Sequence, residues 1–423
     1  MSNLIWSSFW AARGRVGTGA LLFLLTLSGA VRAEPKPESI DARARAIHAK
    51  VLVLDSHVDV LLPNTIARYA GPDGKSAAEF EKLARGGVGA ITFAIAVGPG
   101  PRNEAGVAEA RAEASEKIEA IQAFVREHAD TVALAKSADD VLRLHQQGKI
   151  AVLQSFLNAR SIGKDVGQID QYYRAGVRLF GFTHAGNNDF ADSSRPDSEP
   201  SVEHHGLSAL GKQGVSKLNR LGVIIDVSQL TPEGVQQVLQ LSKAPVVASH
   251  SAARALVDFP RNLSDAELDA IKQNGGVVQV TAFSAYLVPP PKDFRARVAA
   301  LRRQFSLPPA NAPDEGIETL PEARRGQFIQ GLQRLSTRAT VKQYVDHIDY
   351  IAKRIGVEHV GIGSDFNHGA GVIGFQDESE ALNVTRELVR RGYDEGQIAN
   401  IWGGNFLRVF RAVEAESRKE RLH

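Results

Sequence analysis

Eight β-type apolar runs, separated by segments of helical periodicity, limit what this chain can fold into more than any other feature. They are Val51–Asp59, Val88–Val97, Ile150–Phe156, Val177–His184, Gly222–Gln229, Pro245–Ser251, Gly276–Phe283 and Val360–Phe366. Most are continuous rather than alternating, the pattern of parallel strands covered on both faces. Intervening segments such as Val107–His128 and Leu207–Leu221 carry apolar residues at helical spacing. Eight strand–helix units in one chain predict an α/β fold, a (β/α)8 TIM-type barrel. A doubly wound open sheet is the competitor, but no Gly-x-Gly-x-x-Gly follows the first run.

A barrel of this kind builds its site at the carboxyl ends of its strands. The ends expected here are His57 with Asp59, His184, Gln229, His250 and Asp365, all polar on otherwise apolar runs. In a strand, residues two apart share a face, so His57 and Asp59 project together, an imidazole beside a carboxylate. That pairing is half of a site for a divalent transition metal. His368, three residues beyond Asp365, is close enough in sequence to serve as a replacement ligand, although a loop histidine is the plainer reading.

Two stretches break the beat. Asp189–His205 is polar and contains proline, and is expected to form a long loop over the barrel mouth. Residues 286–344, opening with Tyr286 and Pro289-Pro290-Pro291, interrupt the last two strands as a lid or packing insertion. The expected organisation is a leader over residues 1–33 followed by one barrel domain, 34–423. Arg13 and Arg15 precede the apolar run Ala20–Leu25, and Val31-Arg32-Ala33 suits a signal peptidase. An uncleaved leader would instead attach the chain to the inner membrane, although its apolar core is short for a span.

Removing residues 1–33, which hold three arginines and no acid, takes the formal charge from +2 to −1. That near-neutral balance leaves no electrostatic footprint for nucleic acid. With no cysteine there is no thiolate ligand, disulfide or lipid-attachment site. Export without cysteine suits a bacterial periplasm.

Seven short motifs, in order along the chain, resemble those of the membrane (renal) dipeptidases, metallopeptidases of the amidohydrolase-like barrel superfamily. They are Asp55-Ser56-His57-Val58-Asp59; Phe182-Thr183-His184 with Asn187; Gly206-Leu207-Ser208 through Asn219, Leu221 and Gly222 to Asp226; Ala248-Ser249-His250-Ser251; Arg261-Asn262 with Asp265; Gly361-Ile362-Gly363-Ser364-Asp365-Phe366; and Gly403-Gly404-Asn405-Phe406. The resemblance implies a metal held by His57, Asp59 and Asp365, with water or His250 completing the set. It also implies that His184 orients a small-peptide substrate and that Arg261 binds its carboxylate. Zinc is the expected ion, and a homodimer stays open beside a monomer.

The chain departs from that family at two places. Where the family has E-G-G-H after its third strand, Leu157-Asn158-Ala159-Arg160 stands, so the carboxylate that bridges two metals is replaced by Leu157. Where it has D-x-S/A-H, Asp226-Val227-Ser228-Gln229 stands, so a second-metal histidine is replaced by Gln229. One imidazole and an amide fall short of the three or four N, O or S ligands that hold zinc. One ion is therefore expected, with Asp365 as ligand or general base, and ordinary dipeptidase activity is expected to fall or be replaced. The same pairing of S-x-L-N-A with D-V-S-Q resembles the periplasmic dipeptidase-like proteins of pyoverdine siderophore maturation. That likeness keeps open a non-cleaving role in binding a peptide or siderophore precursor and assisting its maturation.

Overall fold

Strand formation follows the apolar runs. In β1 (Val53–Asp59) and β2 (Val88–Ala96) every residue is buried, because one face packs into the barrel and the other against helices. The remaining strands are β3 (Val132–Leu134), β4 (Ile150–Leu157), β5 (Val177–Gly181), β6 (Ile224–Asp226), β7 (Val247–Ser251), β8 (Val277–Val280) and β9 (Val360–Ile362). This computed structural model describes residues 39–63, 69–71, 73–196, 200–310 and 317–420. The expected leader, residues 1–33, lies outside them.

The strands pair in parallel in the order β1-β2-β4-β5-β6-β7-β8-β9, with β3 an extra strand on β4. Closure comes just past β9. Val58 bridges Phe366, the Asp59 amide donates to the Phe366 carbonyl at 3.0 Å, and the Asp365 amide donates to the His57 carbonyl at 2.9 Å. The chain is thus the expected (β/α)8 barrel. At the amino ends of the strands, Leu54, Ala90, Ala151, Leu179, Ile224, Val247 and Val277 cluster with Phe406, Phe410 and Val413 of the final helix. That apolar plug contrasts with the carboxyl end, where polar side chains gather.

Helices begin where the sequence supplies caps. Ser208 accepts the Gly211 amide at the start of helix Ala209–Leu221, a contact worth about 1 kcal/mol. The same helix stops at Gly222, whose φ of +74° an L-residue adopts only at a cost. Between β8 and β9, helices Phe294–Gln304 and Glu322–Leu335 share a small apolar cluster of Phe305, Leu307, Ile317, Leu320, Phe328 and Ile329. Helix Val341–Ile355 returns to the main core through Tyr344, Ile348 and Ile351. Among the described residues no helix is long and apolar enough to cross a membrane.

Four strands, β5, β6, β8 and β9, stop three or four residues short of the ends of their apolar runs. β5, β6 and β9 end at Gly181, Asp226 and Ile362, so that His184, Gln229 and Asp365 each stand three residues further on. Gln229 and Asp365 adopt φ values of +71° and +63°, which turns the chain out of the sheet and swings both side chains toward the mouth.

Candidate metal centre

β1 and the turn after β9 bring three expected ligands together. His57 Nε2 lies 3.4 Å from Asp59 Oδ1 and 3.9 Å from Asp365 Oδ1, and all three side chains are buried. Two donors bound tetrahedrally at about 2.0–2.1 Å from one ion would themselves stand about 3.4 Å apart. Asp59 Oδ1 is buried and has no hydrogen-bond partner, whereas Oδ2 receives His368 Nδ1 at 2.9 Å. The donor set and the unpartnered oxygen fit a divalent cation.

Behind these ligands lies a relay centred on Ser249. Its Oγ donates to Asp226 Oδ2 at 2.5 Å, while His250 Nδ1 is 2.7 Å and His57 Nδ1 3.4 Å from the same oxygen. Both histidines therefore direct Nδ1–H at Ser249. This leaves the His57 Nε2 lone pair facing the two carboxylates, the tautomer a metal ligand needs. His57, Asp226 and His250 also bring donor atoms within 4.8 Å of one another. The Ser249 hydroxyl stands among these groups, bonded to Asp226 and His250.

His250 belongs to the same cluster, its ring stacked on His57 with centroids 3.8 Å apart. Both of its nitrogens are engaged, Nδ1 with Ser249 and Nε2 with the Gln229 amide nitrogen at 3.0 Å. Leu157, at the end of β4, packs with Ala94 and Ala96 of β2 as an apolar wall. An alanine methyl built at Gly181 would meet Leu157 Cδ1 at 2.6 Å and Asp226 Oδ2 at 3.5 Å, so Leu157 fills the space beside that aspartate.

The electrostatics divide the two carboxylates. Burial works to raise the Asp59 pKa, but the His368 hydrogen bond and the nearby His57 and His368 imidazoles hold it far below the usual carboxylate range. Burial raises Asp365 from its ordinary value, the His57 charge offsetting only part. Burial also works to lower His57, yet the adjacent Asp59 carboxylate and the charges of Asp365 and Asp226 leave it raised. Burial, then the His57 charge, push His250 well below the ordinary histidine value.

His184 is buried at the rim, its ring edge-on to His368 with centroids 5.0 Å apart, and its Nδ1 has no partner. Arg261 is 3% exposed. Its Nη2 donates to the His250 carbonyl at 3.1 Å and its guanidinium lies 5.4 Å from the Tyr286 ring centroid. Nε and Nη1 have no partner, and no ion pair reaches this side chain among the described residues. A buried guanidinium without a counter-ion fits an anionic ligand group.

Over the mouth, the Asp192 carboxylate accepts the amides of Glu203, His204 and Gly206, and Ser193 bridges Leu230. The motifs contain Asp226 and Ser249, but sequence reasoning assigned neither a role; Asp226 stands three residues before Gln229 and Ser249 directly before His250.

Fold and site together define a (β/α)8 barrel with imidazoles and carboxylates gathered at its carboxyl mouth in the manner of a metallohydrolase. The match to the membrane dipeptidase model, peptidase family M19, runs over residues 41–423, and the chain belongs to that family. It is 42% identical to the crystal structure of the probable dipeptidase PvdM from Pseudomonas aeruginosa, with a TM-score of 0.80, covering 90% of this chain and all of that one. It is 31% identical over 342 residues to dipeptidase tcpJ of Claviceps purpurea, 79% of this chain and 69% of the relative. Dipeptidase verJ of Clonostachys rogersoniana is 31% identical over 352 residues, 81% of this chain and 77% of that protein. A metallo peptidase from Rhodobacter sphaeroides, liganded with a phosphinate mimic of L-Ala-D-Ala, shares the fold at 23% identity and a TM-score of 0.67, covering 86% of this chain and 99% of that one.

Proposed function

We propose that this member of the family is an exported, periplasmic hydrolase acting on the peptide bond of a dipeptide or small peptide with a single divalent ion, zinc by preference. His57, Asp59 and Asp365 would hold the ion. The observation that carries the reading is the convergence of His57 Nε2 with Asp59 Oδ1 and Asp365 Oδ1 at 3.4 and 3.9 Å, around an oxygen that has no other partner.

When bound, such an ion supplies Lewis acidity toward a carbonyl oxygen and acidifies a water. The chain's own groups supply the rest. Asp59 stays ionised and serves as an anionic ligand, while Asp365 serves either as a further ligand or as the base that takes a proton during attack. Arg261 holds the peptide carboxylate, and the buried rim around His184 excludes water and orients the substrate. Elemental analysis of the mature protein tests the reading. One equivalent of metal with metal-stimulated hydrolysis is expected. A protein that takes up no ion and cleaves nothing in a dipeptide panel rules it out.

The second reading is a catalytically reduced protein that binds a peptide or siderophore precursor and assists its maturation. Leu157 and Gln229 standing in the second half-site favour it, as does the likeness of that half-site to the pyoverdine-maturation proteins. Under this reading Asp365→Ala leaves precursor maturation in cells intact while Arg261→Ala abolishes it. Loss of maturation in Asp365→Ala returns the advantage to the hydrolase.

A further inference from the structure

The hydrogen bonds around His250 fix the orientation of Gln229. The 2.5 Å contact between Ser249 Oγ and Asp226 Oδ2 uses the hydroxyl proton, because an ionised carboxylate only accepts. His250 must then donate from Nδ1 to Ser249, leaving a lone pair on Nε2. That lone pair can accept only the amide N–H of Gln229, 3.0 Å away. The Gln229 amide therefore cannot be flipped, and its Oε1 is an acceptor that is buried and has no partner. The residue is 4% exposed and is held at a φ of +71° by its own carbonyl, which accepts Thr183 Oγ1 at 3.0 Å and the Ser194 amide at 2.8 Å.

An unmet buried acceptor costs about 1–3 kcal/mol, and a strained φ adds to that. Both fall on one residue at the wall of the site. On either side of the stacked His57 and His250 rings the pocket thus presents an orphan oxygen, Asp59 Oδ1 and Gln229 Oε1. The first fits an ion. We infer that Gln229 Oε1 receives the N-terminal ammonium of a bound peptide, which makes Gln229 a residue that selects for a free amino end. The inference rests on the peptide-binding reading above. Arg261 supports it, since it touches the His250 carbonyl while Gln229 touches the His250 ring. A carboxylate binder and an ammonium acceptor therefore border the same residue, as recognition of a short zwitterion requires.

The test is calorimetric binding of the phosphinate mimic of L-Ala-D-Ala and of its analogue with hydrogen in place of the ammonium. The proteins are the wild type, Gln229→Leu and Gln229→Asn. Asparagine tolerates positive φ and withdraws the oxygen by one methylene, so it serves if the leucine variant does not fold. Wild type is expected to prefer the ammonium-bearing probe at least ten-fold, and the folded variants to lose that preference while keeping affinity for the analogue. A preference that survives both substitutions, as when water occupies the acceptor, overturns the inference, as does an equal loss for both probes. If the wild type binds neither probe, the peptide reading itself fails and takes this inference with it. Binding without dependence on Gln229 removes the inference alone.

Discussion

His57 and His250 stack face to face with 22° between their rings, so that protonating either one disfavours charge on the other. The carboxylates beside His57 decide which carries it, raising His57 while His250 is depressed. In the metal-free protein His57 is the protonated partner below its raised pKa, and an ion must displace that proton. Zinc affinity is therefore expected to weaken as pH falls through the raised His57 pKa, above the ordinary histidine value of about 6.5. Competition with a chromogenic chelator at pH 8, 7 and 6 measures the effect, and His57→Ala should bind no ion at any of them.

His368 grips Asp59 Oδ2 at 2.9 Å and leaves Oδ1 for the ion. Its stack on Tyr69, with centroids 5.0 Å apart, holds the ring in place. Replacing it with phenylalanine keeps the stack and removes the hydrogen bond. Groups that orient a ligand in this way are worth about 10–100-fold in metal affinity. His368→Phe should lose that much in the same competition assay, with unchanged stoichiometry.

Leu157→Glu alone places a charge against Ala94 and Ala96, and is expected to destabilise the protein by about 3 kcal/mol. Combined with Gln229→His it rebuilds a carboxylate–imidazole pair next to His250. Zinc should then raise the melting temperature of the double variant more than that of the wild type. Elemental analysis should rise from one equivalent to two, and dipeptide hydrolysis should rise with it.

Arg261→Lys keeps the charge but loses the two-pronged donor. If Arg261 holds the peptide carboxylate, KM should rise about 10–100-fold with a smaller change in kcat, the loss of a charge-assisted hydrogen bond. Steady-state kinetics on a dipeptide and on its C-terminal amide separate the two terms, because the amide should be insensitive to the substitution.

His347, on helix Val341–Ile355, accepts the Ala253 amide at 3.1 Å and faces the Leu287 carbonyl at 3.2 Å. Burial pushes its pKa down to about 4. A histidine depressed on folding stabilises the folded state above its unfolded value of about 6.5, and that contribution is lost as pH falls toward the folded value. The loss amounts to at most about 3 kcal/mol. His347→Gln retains a donor and an acceptor but does not titrate, so its chemical-denaturation midpoint should fall less than that of the wild type between pH 7 and pH 4.5.

All eight barrel strands were legible because each is buried on both faces, which demands an unbroken apolar run. β3 was not, since Val132-Ala133-Leu134 is three residues long and pairs only with β4. The strand ends misled for a related reason. Phe182 and Val227 keep the apolar pattern going past the ends of β5 and β6 because they are buried in the main core, and Phe366 does so past β9, where it bridges Val58. His57, Asp59 and Asp365 could be grouped from motif order, but the turns that aim Gln229 and Asp365 are backbone states that no side-chain pattern announces. His368 was singled out by its nearness to Asp365, and the fold sets it behind Asp59 instead.

The Asp365 amide and the His57 carbonyl meet at the one joint where the first and last strands are fastened. An ion shared by these two residues and Asp59 would rivet that joint, whereas Leu157, Gln229 and His250 belong to staves in the middle of the hoop. A lineage can shed the mid-hoop cation and keep its shape, but shedding the other loosens the seam on which the whole cask depends.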